Sequence, residues 1–517
     1  MKINRKKKIF KEIKSGFKKN EKWLDIEIKK ANAFIKDGNF KKAEIIFKKL
    51  IASDIKNPIV FGNLAAIYGL KGEKSKMINL LENAIELKPN FPDALNNLGV
   101  AYIDIDEIDK AIESLNKAIR LKSNFHSAHL NLGMALAQKG ELKQAIVSYK
   151  NALKLKVNYL DAFINLGLAQ LRDGNSDDAI SSFEQAIKLD FRNAKAHSVL
   201  GKTLLFIGNY ERGWTESEYR LQKNSTILHG IPKIPLWDGG ELQKEEHLLV
   251  VTEQGLGDTI QFMRYIKVLK SMKINVSFCA QDKLHELIKI SKIHPNPLSP
   301  ADCNSVGVGK WVPLLTLPKY LRVSPKNPII KNPYIKTTDY LLKKWRKIFS
   351  SENKPIIGIN WQGNKKIEKS DILRGRSIQL EFYSQIASDN FKFLSLQKGF
   401  GSEQLEKCSF IEHFVNFQND VSSIWGFVEN TAIIQNCSLI ITTDTSIAHL
   451  AGGLGKETWL LLQNVPEWRW GDKGDQTFWY PNMKLFRQNE RDNWNEVMYR
   501  VSNELTKFLK QNKYEKE

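Results

Sequence analysis

The chain has 517 residues, 42% apolar and 26% charged, a balance that suits globular domains and excludes general disorder; at roughly 150 residues per domain it holds two to four of them. Its four cysteines (Cys279, Cys303, Cys408 and Cys437) exclude a disulfide scaffold and, with no Cys-x-x-Cys pair, a zinc ribbon, which points to a reduced, cytoplasmic setting. The formal charge is +21, and residues 1–30 carry a disproportionate share of it, with twelve Lys/Arg against four Asp/Glu. This basic tail, residues 1–23, is either a solvated segment or one that touches phosphate or an anionic membrane surface peripherally. After Lys6-Lys7-Lys8 only Ile9-Phe10 follows before charge returns, so no export signal is expected. Nor does any apolar run approach the ~18 residues that span a bilayer. The charge excess comes with no aromatic-basic motif, so no nucleic-acid partner is expected.

From residue 24 the chain repeats itself. Gly99, Gly133, Gly167 and Gly201 are 34 apart, as are Leu64, Leu98, Leu132, Leu166 and Leu200, and Ala84, Ala118, Ala152 and Ala186. Gly38, Gly72, Gly140, Gly174 and Gly208 share that register, with Asp106 in place of one glycine. Small residues at these offsets resemble the tetratricopeptide repeat (TPR), two antiparallel helices per unit, in which the small positions allow close helix approach and the turn glycine ends the first helix. Five full units and a partial sixth are expected over 24–222, forming an all-α superhelix that binds partners. Asn63, Asn97, Asn131 and Asn165 keep the same period. An amide both donates and accepts, so such a ladder suits a peptide backbone of any sequence; the alternative is that Asn is simply common at this position. Asp104-Ile105-Asp106 falls at a repeat turn and is read as turn chemistry.

The period breaks near residue 222. Pro and Gly punctuate a linker over 223–246. His247–Thr252 then reads as a buried strand, followed by Glu253–Asp258 (EQGLGD) and a helical pattern over 259–270. Strand, glycine turn, helix opens a doubly wound unit whose ligands sit at the carboxyl ends of strands. Further strands are predicted at 275–279, 355–361, 391–396, 438–442 and 457–462. Two Rossmann-like lobes, 247–345 and 346–517 with a terminal helix, make up the GT-B arrangement.

EQGLGD, Gly358–Asn364 (GINWQGN), Asp444–Gly455 (DTSIAHLAGGLG), Trp468–Trp470 and Trp479–Gln488 occur in this order. Together with the repeats they resemble bacterial TPR proteins carrying a glycosyltransferase domain related to the heptosyltransferases (glycosyltransferase family 9). The asparagine ladder is similar to that of protein O-GlcNAc transferases, which hold acceptor polypeptide along it. The resemblance implies an inverting, metal-independent transfer from a nucleotide-diphosphate sugar to a protein or glycan acceptor chosen by the repeats. It implies no cofactor beyond that co-substrate.

Within this frame Asp258 is the candidate base, or simply the cap of the following helix. Gly255 and Gly257 let ligand approach the backbone, and Glu253 is an alternative base or an orienting group for the loop. Asp444, Thr445 and Ser446 end a strand and start a helix, where free N–H groups and the dipole make an anion site or a plain N-cap. The resemblance places the donor diphosphate there. His449, one turn on, either touches the donor or is structural. The resemblance also brings a basic residue to the phosphates after the Gln362 loop. Here the stretch reads Asp371-Ile372-Leu373-Arg374-Gly375-Arg376-Ser377, which leaves Arg374 and Arg376 both open, with Arg376 favoured. Lys398 is a second cation candidate. Trp468, Arg469 and Trp470 either flank the base or sugar or are packing. The competing reading of the chain is a TPR adaptor whose α/β part binds nucleotide sugar without turnover.

Overall fold

A computed structural model describes residues 21–222, 227–242, 246–329, 333–364, 368 and 375–514. Most of the basic tail, together with Arg374, lies outside the described residues. The chain divides into two compact units, 1–190 and 191–517.

In the first unit, paired helices follow the 34-residue period. Their starts carry local signals: Asn57 accepts from the Ile59 N–H at 2.9 Å with Pro58 behind it, and Asn39 accepts from the Lys42 N–H at 3.3 Å. Their turns take the left-handed conformation at Gly38, Gly72, Gly140 and Gly174. Asp106 occupies the same register at φ 66° and accepts from Gln138 Nε2 at 2.7 Å. Helix pairing rests on a knob and a socket. A Cβ added at Gly99, Gly133 or Gly167 would meet Leu115, Tyr149 or Phe183 at 2.5 Å. The equivalent pairs Ala31–Phe47 and Ala65–Leu81 are fully buried.

The array does not end as a separate body at residue 222. The sixth helix pair, Ala194–Phe206 and Tyr210–Ser217, belongs to the second unit. Trp214 donates to the Val323 carbonyl at 2.8 Å and meets Trp468 edge-on at 5.3 Å. Buried aromatic contact of this kind outweighs the resemblance of these helices to the preceding repeats. The predicted linker is likewise not free. Trp237 N–H donates to the Trp311 carbonyl at 2.7 Å, and His229 N–H to that of Thr252 at 2.9 Å, so residues 227–242 lie on the first sheet.

Two parallel sheets form the rest of the second unit. The first has strands β1 (His247–Val251), β2 (Asn275–Cys279) and β3 (Lys310–Pro313) in the order β2-β1-β3. The second has β4 (Ile356–Asn360), β5 (Lys392–Ser395), β6 (Leu439–Thr443), β7 (Thr458–Leu462) and β8 (Met483–Arg487) in the order β5-β4-β6-β7-β8. Strands β4, β6 and β7 are buried along their whole length, which is why they read as unbroken apolar runs. Strands β3 and β8 were not expected. One ends in Pro313 and the other carries Lys484 and Arg487, so neither presents such a run. The helical pattern over 259–270 is two helices, Leu256–Phe262 and Arg264–Ser271, separated at Met263. A boundary at 345/346 would cut the helix Asp339–Phe349, whose Trp345 donates to Glu429 at 3.0 Å; the division belongs before Asp339.

Candidate active site

In each sheet the strand order reverses beside a central strand, between β1 and β3 in one and between β4 and β6 in the other. Ligands of open parallel sheets bind outside the carboxyl ends of the strands at such points. The segments there are Glu253–Asp258 after β1, Trp361–Asn364 after β4 and Asp444–Ser446 after β6. The first and last of these meet. A Cβ on Gly257 would lie 3.0 Å from His449 Cδ2 and 3.6 Å from Ser446 Cα, so the glycine permits the approach.

Asp258 caps its helix and also pairs with a residue of the second sheet's loops. Its Oδ2 accepts from the Gly255 N–H at 2.9 Å, while Oδ1 pairs with Arg469. The sequence left Arg469 and its two tryptophans open between ligand contact and packing and did not show this partner; the available signal was a cation flanked by aromatic residues just past a buried strand. Arg469 is also 2.7 Å from Glu467 Oε1 and donates to Gln261 Oε1 at 2.5 Å. Burial works against its charge, but Glu467 and Asp258 more than offset that and hold it protonated. Glu253 is not placed to act as a base. It is fully buried, takes two bonds from Arg220 at 2.8 and 3.0 Å, and accepts the Leu315 N–H at 3.2 Å. Its work is to anchor the loop, in which Gln254 is held at φ 64°.

Asp444 lies in a small pocket with Arg376, Leu461, Leu462, Gln463, Pro466 and Glu467. Burial first, and Glu467 second, push its carboxyl up to about 6, against the pull of Arg376 and Arg469. Arg376 lines this pocket, and Arg469 lies close enough to act on the charge of the carboxyl. Arg376 also pairs with Glu368 at 3.3 Å, and Ser377 Oγ accepts the Gly363 N–H at 3.0 Å, which ties this segment to the loop after β4. Thr445 spends its hydroxyl hydrogen on Asn360 Oδ1 at 2.8 Å, so it ties loop to sheet rather than offering a spare donor. Ser446 opens the helix Ser446–Gly453, whose first turn has no side-chain cap. His449 is buried 2.9 Å from the Tyr480 hydroxyl and stacks on Trp470; burial, then Arg469 and Arg264, keep it well below its ordinary pKa and hence neutral.

Two expected donor contacts sit differently. Lys398 gives its ammonium to the Val421 carbonyl at 2.5 Å, and burial lowers it to about 8; it braces the helix Gln418–Ser422 instead of reaching the β6 loop. Gln362 is buried, with Oε1 taken by Gln404 at 3.0 Å and Nε2 unpartnered among the described residues. In the first unit the ladder is cross-linked between repeats. Asn63 donates to Asn32 at 2.9 Å, Asn131 to Asn96 at 2.9 Å, and Asn96 to Asn97 at 3.2 Å. Asn165 is half-buried in the same register.

Models described as TPR or tetratricopeptide repeat match residues 60–91, 80–113, 101–140, 133–174 and 164–221. The helical region is built of TPR repeats. No curated protein matches the chain. Among solved structures, the crystal structure of MamA is 28% identical, covering 32% of this chain and 96% of that one, with a TM-score of 0.30. That of YrrB, a TPR protein with an unusual peptide-binding site, is 20% identical over 36% and 95%, at 0.31. TTC0263, a thermophilic TPR protein in Thermus thermophilus, is 18% identical over 35% and 98%, at 0.31. TPR repeats are a protein-binding architecture, and the chain has one in its N-terminal half. Among the described residues no helix is long and apolar enough to cross a membrane.

Proposed function

We propose that residues 247–517 form a GT-B glycosyltransferase that moves a sugar from a nucleotide-diphosphate donor to an acceptor chosen by the TPR array. The observation that carries this reading is the meeting of two switch-point loops, Gly255–Asp258 and Asp444–Ser446, with Arg376 and Arg469 close to Asp444 of the second. The loop after β6 and the helix it opens offer N–H groups and two guanidinium groups to a diphosphate. The loop after β1 supplies the carboxylate. In the reaction the acceptor oxygen attacks the anomeric carbon, its proton passes to Asp258, and the bond to the diphosphate breaks with its electron pair leaving on phosphate oxygen. The arginines stabilise that charge as it grows.

The raised pKa of the Asp444 carboxyl supports a functional site. A carboxyl whose surroundings disfavour its charged form is a common mark of chemistry. The adaptor reading also has an observation behind it, since both Asp258 oxygens are occupied. A melting-temperature screen against UDP, GDP and ADP, with CMP as control, decides whether a donor is bound; one diphosphate is expected to stabilise the chain. Asp258→Asn should then be stabilised by the diphosphate at least as strongly as wild type and lower sugar transfer or donor hydrolysis by about 10²–10⁴. Binding without turnover in the wild type would leave the adaptor reading standing.

A further inference from the structure

Arg469 stands between the two halves of the proposed reaction. Its side chain is 9% exposed, and the Trp468 and Phe262 rings lie 4.5 and 5.4 Å from its guanidinium carbon. It pairs with Asp258 on one side and with Glu467 on the other, and it lies close to Asp444. Asp258 is held at both oxygens, by Arg469 and by the Gly255 N–H. A carboxylate with a donor already on each oxygen can receive an acceptor hydroxyl only by sharing or displacing those donors. A diphosphate brings more charge than one carboxylate and matches the guanidinium fork.

We propose, building on the donor reading above, that Arg469 is shared: donor diphosphate draws the guanidinium off Asp258 and so releases that carboxylate to take the acceptor proton. The base is then masked until the leaving group is in place. Glu467 and Gln261 remain as partners throughout, so the exchange strands no buried cation. Arg469 lies in the short turn Trp468–Trp470, followed by Gly471 at φ 70°, and not in a strand. It is a positioning residue for Asp258 and a contact for the diphosphate.

The test is calorimetric titration of the full chain with whichever of UDP, GDP or ADP stabilises the wild type. Asp258→Asn removes the competing charge and keeps Arg469, so the diphosphate should bind roughly three- to tenfold tighter. Arg469→Lys should weaken binding by about tenfold. Asp258→Asn/Arg469→Lys should lose the gain. A purely structural ion pair predicts the opposite sign for Asp258→Asn, because breaking it loosens the site. Unchanged or weaker binding by Asp258→Asn overturns the proposal, and that variant decides the matter even where Arg469→Lys fails to fold. Wild type that binds no diphosphate overturns the donor reading and this inference together; wild type that binds while Asp258→Asn shows no gain overturns the inference alone.

Discussion

Asp444 shows how a single residue reports on its setting. Its carboxyl is pushed up to about 6 by burial and by Glu467, above the ordinary 3.8. The folded state therefore holds a proton that the unfolded chain has already released between these two values, and stability falls as pH rises from about 4 to about 6. Above that window the ionised group costs the fold about 1–3 kcal/mol, allowing for its partial exposure. Asp444→Asn is expected to raise the urea midpoint at pH 8 and to flatten the dependence between pH 4 and 6. Identical profiles for variant and wild type would mean that the carboxyl is not perturbed. The sequence placed Asp444 at a strand end and offered Arg376 as a cation for the same site, but carried no sign of Glu467 and Arg469, which arrive together from the turn after β7.

At the scale of the element, the helix pairs depend on sockets the sequence announces. Gly133 sits against the Tyr149 ring, and a Cβ there would fall 2.5 Å from it. Gly133→Ala should lower unfolding free energy by about 1–3 kcal/mol, measured by denaturant titration. Adding Tyr149→Leu should recover part of the loss, and the size of the coupling tests whether the two residues form one contact. Ala65 and Leu81 hold the equivalent positions two repeats earlier, and both are fully buried. The asparagine ladder was legible in the same way as a period, but its bonding was not. Asn63 and Asn131 each spend an amide hydrogen on a neighbouring repeat, leaving less of the ladder for an acceptor than spacing alone implies.

At the scale of the whole molecule, the division lies between Asp190 and Phe191. The sixth helix pair caps the α/β part through Trp214, and the turn after it supplies Arg220 to the buried Glu253. A fragment of residues 191–517 should melt as one cooperative unit. A fragment of residues 223–517 should not, because it leaves Glu253 buried without its cation, a loss of about 3–5 kcal/mol, and uncovers Trp468. Equal stability of the two fragments would show the sixth pair to be dispensable.

By itself the sequence determined the TPR array, its period and turns, and the strands of both sheets other than β3 and β8. These follow from local rules: a small residue every 34, a left-handed turn position, an apolar run between glycines. It also placed Asp258 and Asp444 at strand ends, where ligands collect. Only the tertiary structure decided their partners. Arg469 lies 211 residues from Asp258, and Arg220 lies 33 from Glu253. Such pairs have no period and no fixed spacing, because they are chosen by which loops the sheet order brings together. For the same reason +21 of net charge said little about chemistry. At the candidate site two arginines face three carboxylates, Asp258, Asp444 and Glu467, and it is their arrangement that matters.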